Sequence, residues 1–452
     1  MTQPAEKDSK VPTALKTPGL IGANPIGADA VDAGAPSAAA ARGASGAMVM
    51  SASHRGLEPL RIVMFSGNYN YVRDGANQAL NRLVAYLEGQ GAEVRIYSPT
   101  SSTPAFEPAG TLISVPSVSI PGRAEYRIAR GLPASQRREI AAFKPHILHL
   151  AAPDPLGHSA KKLARALGIP VVASVHTRFE TYLEYYGLGW VRPAGEAILR
   201  RFYTGLDEVF VTSEGFAEVL REQKLVDHAA VWSRGVDKLR FNPGRRSLEW
   251  RRAQGIADSD VVIGFVGRLV REKGLDIVAA SVAELDRRGV PYKLLVVGDG
   301  PARAQFEAQA PGAIFTGFLD GDALPRAYAS FEMLINPSTT ETFGNINLEA
   351  MASGIPVVAA AASGNNCLVD DGVSGRLVEP GDIPAFADAL ELYLTNPEAR
   401  AKAGAAGLAR AQPYDWDEIN GAVLARYREI IAAHAENAQA VLDAGQPLAN
   451  AG

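Results

Sequence analysis

Two glutamates stand on either side of a glycine in the segment STTETFGNINLEAMASGIPVVAA, residues 338–360. Gly344 is predicted to end a loop, and residues 345–353 to form a short helix. Glu341 and Glu349 are eight residues apart, a helical span of about 12 Å, similar to the separation of the hexose and the ribose in a nucleotide sugar. Because a carboxylate accepts hydrogen bonds from hydroxyls, one glutamate could hold each sugar. The N–H groups at the helix start would then face the diphosphate. The alternative is that one glutamate adjoins a helix cap and the other is solvated.

A pair of cations follows a predicted strand in the segment FVGRLVREKGLD. Arg268 comes directly after the strand, and Lys273 lies five residues further on. A guanidinium can bind two phosphate oxygens at once, and an ammonium acts as a point charge, so the pair suits a diphosphate. The alternative is ordinary surface charge.

A glycine-containing turn follows the first predicted strand, in SGNYNYVRDGANQAL. Gly75 stands at the predicted start of a helix, where the missing side chain lets an anion approach the backbone N–H groups. The segment lacks the G-x-G-x-x-G pattern of dinucleotide-binding folds, which argues against a nicotinamide cofactor. Many α/β proteins need a glycine in this turn for structural reasons alone.

A histidine ends another apolar run, in VVASVHTRFETYLEYYG. His176 is followed by Arg178, Glu180 and several tyrosines. At the carboxyl end of a strand and opposite a phosphate site, His176 could transfer a proton or contact the substrate. The alternative is a structural histidine.

Two series of buried strands alternate with helical patterns, which predicts two doubly wound α/β domains with parallel sheets. The first series comprises RIVMFS (61–66), EVRIYSP (93–99), TLISVPS (111–117), ILHLA (147–151), VVASVH (171–176) and EVFVTS (208–213). The second comprises VVIGFVG (261–267), YKLLVVGD (292–299), AIFTGF (313–318), MLINPS (333–338) and IPVVAA (355–360). Ligands bind at the carboxyl edges of such sheets, so an interdomain cleft is the predicted site.

The domain boundaries follow changes in composition and periodicity. We predict a disordered low-complexity segment over residues 1–58, a first domain over 59–235, a second over 236–411, a long helix over 412–435 that returns to the first domain, and a flexible tail over 436–452.

Composition narrows the class of protein. Apolar residues make up 47% of the 452 residues and charged residues 21%, as in ordinary globular proteins. The net charge of −4 gives no reason to expect a nucleic-acid partner. A single cysteine, Cys367, excludes an internal disulfide. The single cysteine also favours a reducing compartment, so a cytoplasmic location is expected. Without a signal sequence or an apolar run of about 18 to 20 residues, any membrane contact is expected to be from the surface.

The motifs together resemble glycosyltransferase family 4. ETFGNINLE fits the E-x7-E signature of that family, and GRLVREKG, VVGDGP, TGF and RGVDKLRFNP follow its order and spacing. The resemblance covers about residues 60–430. It implies the GT-B fold, in which two Rossmann-like domains face a cleft, and YDWDEINGAVLARYREI looks like the C-terminal helix that crosses back to the first domain. It also implies transfer of a sugar from a nucleotide donor with retention of configuration and without a metal. The route usually proposed for the family lets the leaving phosphate help to deprotonate the acceptor.

The resemblance also implies roles for individual residues. Arg268 and Lys273 would hold the donor diphosphate, Glu341 the sugar hydroxyls and Glu349 the ribose. His176 would lie near the sugar and the acceptor. The remaining donor contacts implied are Gly75, Gly317, Phe318, Phe343, Gly344 and Asn345.

One departure indicates a branch within the family. Many members read P-N-G-V-D where this chain reads SRGVD, with Arg234 in place of Asn. Together with PGRAEYRIA (121–129) and HTRFETYLEYYG, this is similar to sulfoquinovosyl-diacylglycerol synthases and lipid mannosyltransferases. A UDP- or GDP-sugar donor, a lipid acceptor and peripheral contact with the cytoplasmic membrane face would follow, with RGLPASQRREIAAFK and ILRRFY as possible lipid contacts. The alternatives are a polysaccharide or small-molecule acceptor, or a nucleotide-sugar epimerase of the same fold.

Overall fold

The structure is a computed structural model, and it describes residues 58–443 apart from residues 73, 121–122, 177–189 and 191. The predicted low-complexity segment before Glu58 therefore lies outside the described residues. So do Arg178, Glu180 and the tyrosines that follow His176.

The first half of the described chain is built on a seven-stranded sheet whose neighbouring strands all run parallel. Its order is β3-β2-β1-β6-β7-β8-β9. The strands are β1 (Arg61–Phe65), β2 (Glu93–Ser98), β3 (Thr111–Ser114), β6 (Ile147–Leu150), β7 (Val171–Val175), β8 (Glu208–Val211) and β9 (Ala230–Val231). Two further strands, β4 (Ser117–Ile120) and β5 (Arg123–Ala129), form a separate antiparallel pair.

Parallel pairing requires crossover connections, and most of those between these strands contain a helix, whereas β2 and β3 are joined by a loop. They are α1 (Gly75–Gly89), α2 (Ala134–Phe143), α3 (Pro155–Leu167), α4 (Arg192–Tyr203) and α5 (Glu214–Glu222). Side chains fix several of the helix starts. The carboxylates of Asp74 and Asp154 and the hydroxyl of Ser213 accept backbone N–H groups in the first turns of α1, α3 and α5.

The second half of the chain is built on a six-stranded parallel sheet in the order β12-β11-β10-β13-β14-β15. Its strands are β10 (Val262–Val266), β11 (Lys293–Val297), β12 (Ile314–Gly317), β13 (Met333–Asn336), β14 (Val357–Ala360) and β15 (Gly375–Val378). The helices are α6 (Leu248–Ala253), α7 (Leu275–Arg288), α8 (Arg303–Gln309), α9 (Ala323–Tyr328), α10 (Asn345–Ala352), α11 (Ser363–Asn366), α12 (Ile383–Thr395) and α13 (Pro397–Ala411).

The fold class expected from the sequence is confirmed: two parallel α/β sheets, with apolar clusters packed around each of them. The strand predicted over residues 111–117 is present but shorter. The structure ends β3 at Ser114 and begins β4 at Ser117, because Pro116 has no N–H for a sheet ladder. The sequence analysis also missed β9, which has two residues, and β15, whose central residues are only half-buried.

Strand order determines where each sheet can bind a ligand. In the first sheet the order reverses between β1 and β6, and in the second between β10 and β13. Crevices form outside the carboxyl ends of strands at such reversals. The turn that leads to Gly75 follows β1, whereas Arg268 follows β10 and Glu341 follows β13. Three of the sequence motifs therefore lie at the two reversals.

The C-terminal helix α14 (Trp416–Asp443) packs against α1 of the first half. Val423, Leu424, Tyr427 and Ile430 are buried in one cluster with the apolar face of α1. The amide oxygen of Asn420 also accepts a hydrogen bond from the Trp232 indole, at 3.3 Å. The crossing-back helix implied by the family resemblance is thus present, and it ends at Asp443 rather than near residue 435.

A glycine holds the start of α14 against the segment between the two halves. A Cβ on Gly235 would lie 2.7 Å from Cγ and 2.9 Å from the backbone nitrogen of Trp416. We expect Gly235→Ala to destabilise the protein by about 1–3 kcal/mol, because the methyl group must displace the helix start. Gly89→Ala is the matched control, since nothing lies within 4 Å of its Cβ position. Thermal unfolding of both variants tests this, and equal melting temperatures would contradict it.

Candidate functional site

The turn after β10 carries the two predicted phosphate-binding cations. Arg268 is exposed directly after the strand. Lys273 ends a single 3₁₀ turn (Arg271–Lys273), and Gly274 then begins α7. Gly274 packs against the loop after β13, since a Cβ there would lie 2.9 Å from the ring of Pro337. The two turns at the reversal of the second sheet are therefore in contact.

That contact brings Lys273 to Glu341. The Lys273 ammonium donates to Glu341 Oε1 at 2.5 Å, and the two side chains are 29% and 15% exposed. Such a pair is partly shielded from water, so its charges interact more strongly than they would on an open surface. The structure thus joins a predicted phosphate contact to a predicted sugar contact by an ion pair.

The loop that carries Glu341 ends at Gly344, whose φ of +92° suits glycine and few other residues. Helix α10 begins at Asn345, as predicted. Beneath it, three buried asparagines hold the loop: Asn336 Nδ2 donates to the side-chain oxygens of Asn347, at 2.9 Å, and of Asn365, at 3.2 Å. Buried amides in such a network fix one arrangement of the backbone around them.

The start of α10 meets the start of α1. A Cβ on Gly75 would lie 2.7 Å from the side-chain nitrogen of Asn345, closer than two such atoms normally come. Gly75 is the first residue of α1, so the first turns of two helices lie side by side. Backbone N–H groups in a first turn carry partial positive charge and favour an anion, and at α1 the Asp74 carboxylate already accepts one of them.

Thr342 joins the same loop to the first sheet. Its carbonyl accepts from the hydroxyls of Thr212, at 2.7 Å, and Ser213, at 2.8 Å, both of which follow β8. Its own hydroxyl donates to the carbonyl of His176 at 3.1 Å. The carboxyl edges of the two sheets therefore face each other across residues 342–345.

His176 follows β7, and hydrogen bonds occupy both nitrogens of its ring. Nδ1 lies 2.6 Å from a guanidinium nitrogen of Arg234, and Nε2 lies 2.9 Å from the Ser174 hydroxyl. Burial, together with the positive charge of Arg234, lowers the pKa of His176 well below 6.5. The acid–base role considered from the sequence would therefore require one of these hydrogen bonds to break.

Glu349 faces a different set of side chains from Glu341. It lies on α10, half-buried, near the positive charges of Arg82 and Arg240. Burial raises the pKa of Glu349 from 4.5 to about 7, and the two arginines oppose that rise. The carboxyl group is thus poised between its two protonation states near neutral pH.

The other predicted donor contacts are spread along the second sheet. Gly317 ends β12, two strands away from β10, and the next residue, Phe318, is 67% exposed. Phe343 is buried, with its ring edge-on to Tyr414 at 5.7 Å between centroids, so only its backbone can face a ligand.

Sequence reasoning missed several residues that hold the site together. Arg234 was noted as a departure from the family pattern, but its contact with His176 was not predicted. The three asparagines have a weak signal, since each follows or interrupts an apolar run, in MLINPS, NINLEA and SGNNCL. Thr212 and Ser213 gave none.

Within the described residues, no group of three or more His, Cys, Asp or Glu side chains could hold a metal ion. None of the helices in that part of the chain is long and apolar enough to cross a membrane.

Comparison with known proteins identifies the family. Residues 73–240 match the family model described as Glycosyltransferase Family 4, and residues 260–396 match the one described as Glycosyl transferases group 1. The solved structure of sucrose-phosphate synthase from Thermosynechococcus elongatus superposes with a TM-score of 0.67 at 20% identity. It covers 82% of this chain and 99% of its own, so the GT-B fold is shared.

Three curated relatives span most of the chain. A GDP-mannose-dependent alpha-mannosyltransferase of Mycolicibacterium smegmatis is 33% identical, over 81% of this chain and 98% of its own. The sulfoquinovosyl transferase SQD2 of Arabidopsis thaliana is 31% identical, over 79% and 71%. An alpha-monoglucosyldiacylglycerol synthase of Streptococcus pneumoniae is 29% identical, over 75% and 79%.

The facing parallel sheets, the motifs at their reversals and these relatives define a GT-B glycosyltransferase. The chain belongs to glycosyltransferase family 4 and is an enzyme of the hexosyltransferase class.

The raised pKa of Glu349 predicts a stability that depends on pH. In the folded protein this carboxyl group titrates near pH 7 rather than 4.5. As the pH rises from about 4.5 to about 7, this group ionises more readily in the unfolded state than in the folded state. The free energy of unfolding therefore falls progressively over that range. We expect Glu349→Gln to raise the melting temperature by several degrees at about pH 8, and by less at about pH 5.5. The exposed Glu436→Gln should show no such difference, and a Glu349→Gln effect that is constant with pH would contradict the assignment.

Proposed function

We propose that the protein transfers a hexose-type sugar, with retention of configuration, from a nucleotide-diphosphate sugar to a hydroxyl group of a membrane lipid. The observation that carries the donor part is the Lys273–Glu341 ion pair, which lies at the strand reversal of the second sheet. From Glu341 the same loop runs directly to the start of α10, where α10 meets α1.

In this proposal the cations and the helix starts bind the diphosphate. Arg268 and Lys273 reach it from the turn after β10, and the N–H groups near Gly75 and Asn345 face it from the other side. These groups are fixed before the reaction, so they stabilise the negative charge that grows on the departing phosphate. A bound diphosphate would compete with Glu341 for the Lys273 ammonium, which frees the carboxylate to accept sugar hydroxyls.

The remaining donor contacts follow the order of the nucleotide sugar. Glu349 accepts the ribose hydroxyls when it is ionised, and the turn of Gly317 and Phe318 frames the base. No carboxylate identifies itself as a nucleophile beneath the anomeric carbon, so we favour retention on a single face of the sugar. In that route the leaving phosphate takes the acceptor proton.

Two observations support a lipid acceptor. One of the relatives is named as a synthase of alpha-monoglucosyldiacylglycerol. The first half of the chain also carries a surface suited to anionic lipid on and before α4, where Trp190 is 79% exposed and Ile198 is 56% exposed. Arg165, Arg200 and Arg201 line a surface pocket with Ala197, the neighbour of Ile198. Exposed apolar and basic side chains on one helix suit the membrane interface. We therefore propose peripheral binding at the cytoplasmic face.

The donor site is tested by substituting the two ion-pair partners, because the two substitutions should affect nucleotide affinity differently. Lys273→Ala, like Arg268→Ala, should weaken UDP or GDP binding at least tenfold, because a charged phosphate contact is lost. Glu341→Gln should bind the same nucleotide at least as tightly, because it removes the competitor for Lys273. Its kcat should nevertheless fall by at least about a hundredfold, because sugar contacts are lost.

Titration calorimetry and initial-rate kinetics measure these effects, and Lys162→Ala on the exposed side of α3 is the control. Wild-type nucleotide affinity in Lys273→Ala would refute the phosphate role. An unchanged kcat/KM in Glu341→Gln would remove that residue from the site.

The acceptor is tested by crossing UDP- and GDP-sugars with vesicles that contain diacylglycerol and phosphatidylglycerol, and reading products by mass spectrometry. We expect a glycolipid product, and we expect Arg201→Glu to lower its rate severalfold while nucleotide affinity stays unchanged. Arg428→Glu makes the same charge change on the exposed side of α14 and is the control. Product from soluble saccharides and none from vesicles would refute the lipid acceptor but leave the donor site intact.

A further inference from the structure

Arg234 is a buried cation in the segment that connects the two sheets. Its residue is 3% exposed. Nη1 donates to the carbonyls of Trp232, at 3.2 Å, and Ser233, at 3.3 Å. The guanidinium also lies 5.1 Å from the centroid of the Trp232 ring, close enough for a cation–π contact. These contacts leave the side chain one orientation.

In that orientation Nη2 of Arg234 points at His176 Nδ1, at 2.6 Å. A guanidinium has N–H groups only and can never accept, so Nδ1 must be the acceptor. A neutral imidazole has one acceptor nitrogen and one N–H, so the proton lies on Nε2. Nε2 then donates to the Ser174 hydroxyl at 2.9 Å. The chemistry of one partner therefore fixes the tautomer of the ring.

The surroundings also keep the ring neutral. Among the described residues, the titratable and charged groups that face it are Arg234 and, beyond Ser174, His149 on β6. His149 is fully buried, and burial lowers its pKa to about 3. Asp74 is the carboxylate whose charge acts on Arg234, and burial raises the pKa of that carboxyl. Burial lowers the pKa of Arg234 to about 9, so it remains a cation at neutral pH.

We propose that Arg234 is a positioning residue that holds His176 as the neutral Nε2–H tautomer, so that Nδ1 is occupied and the ring does not act as a base in the transfer reaction. This inference rests on the proposed function, which places His176 near the sugar and the acceptor. The backbone carbonyl of His176 accepts from Thr342, the neighbour of Glu341, so the ring that Arg234 holds lies beside the donor loop.

The tautomer can be measured directly in the free protein. Long-range proton–nitrogen NMR of ¹⁵N-histidine-labelled protein distinguishes the two ring nitrogens, and His176→Gln assigns the signal among the seven histidines. We expect an unprotonated Nδ1 and a protonated Nε2 throughout the range from about pH 5 to about pH 8. A protonated Nδ1, or titration near pH 6.5, would overturn the proposal whatever the enzyme's substrate.

Two variants separate Arg234 from the other partner of the ring. Ser174→Ala removes the acceptor of Nε2–H, but should keep the tautomer, because Arg234 still donates to Nδ1. Arg234→Met removes both the donor and the charge, so the preference for the Nε2–H tautomer should be lost and the pKa of His176 should rise, while burial still lowers it. An unchanged Nε2–H tautomer in Arg234→Met would refute the role of Arg234. Loss of the tautomer in Ser174→Ala would assign it to Ser174 instead.

Activity provides an independent readout. The ratio of kcat/KM in Arg234→Met to that in the wild type should fall toward low pH, by up to tenfold per pH unit once the freed ring becomes charged. Taking the ratio cancels the titration of Glu349, which both proteins share. Arg252→Gln removes an exposed guanidinium and should give a constant ratio. A constant ratio in Arg234→Met would count against the proposal.

If Arg234→Met does not fold, the role of Arg234 is tested by comparing the NMR spectrum of Arg234→Lys with that of the wild type. Lysine keeps the charge but cannot donate to His176 and to both carbonyls in the same geometry. Failure of the enzyme to bind nucleotide sugars would refute the proposed function without touching the tautomer result.

Discussion

The two sheets approach each other at their carboxyl edges, and Gly75 lies where they meet. A Cβ there would lie 2.7 Å from the side-chain nitrogen of Asn345, so a larger residue would have to push that amide aside. The same closeness brings the hydroxyls of Thr212 and Ser213 to the Thr342 carbonyl. Because that loop also carries Glu341, the position of the donor site depends on how near the two sheets can come.

Several charged side chains of this site lie close to side chains of opposite charge. Lys273 lies against Glu341, and Glu349 lies near Arg82 and Arg240. A carboxylate beside each cation keeps it from being an unpaired charge in a partly dry cleft, where desolvation is costly. Each pair also leaves a group that can change partners when hydroxyls or phosphates arrive. Arg234 differs, because its described hydrogen bonds go to a neutral ring and to carbonyls.

Much of this could be read from the sequence, and the limit has a physical cause. Strands and helix starts follow from local patterns, which is why the two sheets, α10 and the long last helix were predicted. The Lys273–Glu341 pair joins residues 68 apart, and the Arg234–His176 contact joins residues 58 apart. Contacts between residues so far apart along the chain leave no periodic pattern in the sequence. The strand β15 was missed because GRLV is short and only partly apolar, and the end of α14 because its last turns are alanine-rich.

The path of the last helix has a consequence for synthesis. Residues of α14 cover the apolar face of α1, although the two are separated by more than 300 positions of chain. On the ribosome the first half emerges long before its own covering helix exists. It must wait with that face open to solvent or to a chaperone until nearly the whole chain has been translated. The amino-terminal half is therefore synthesised first, but its folding is completed only after the last helix has been synthesised.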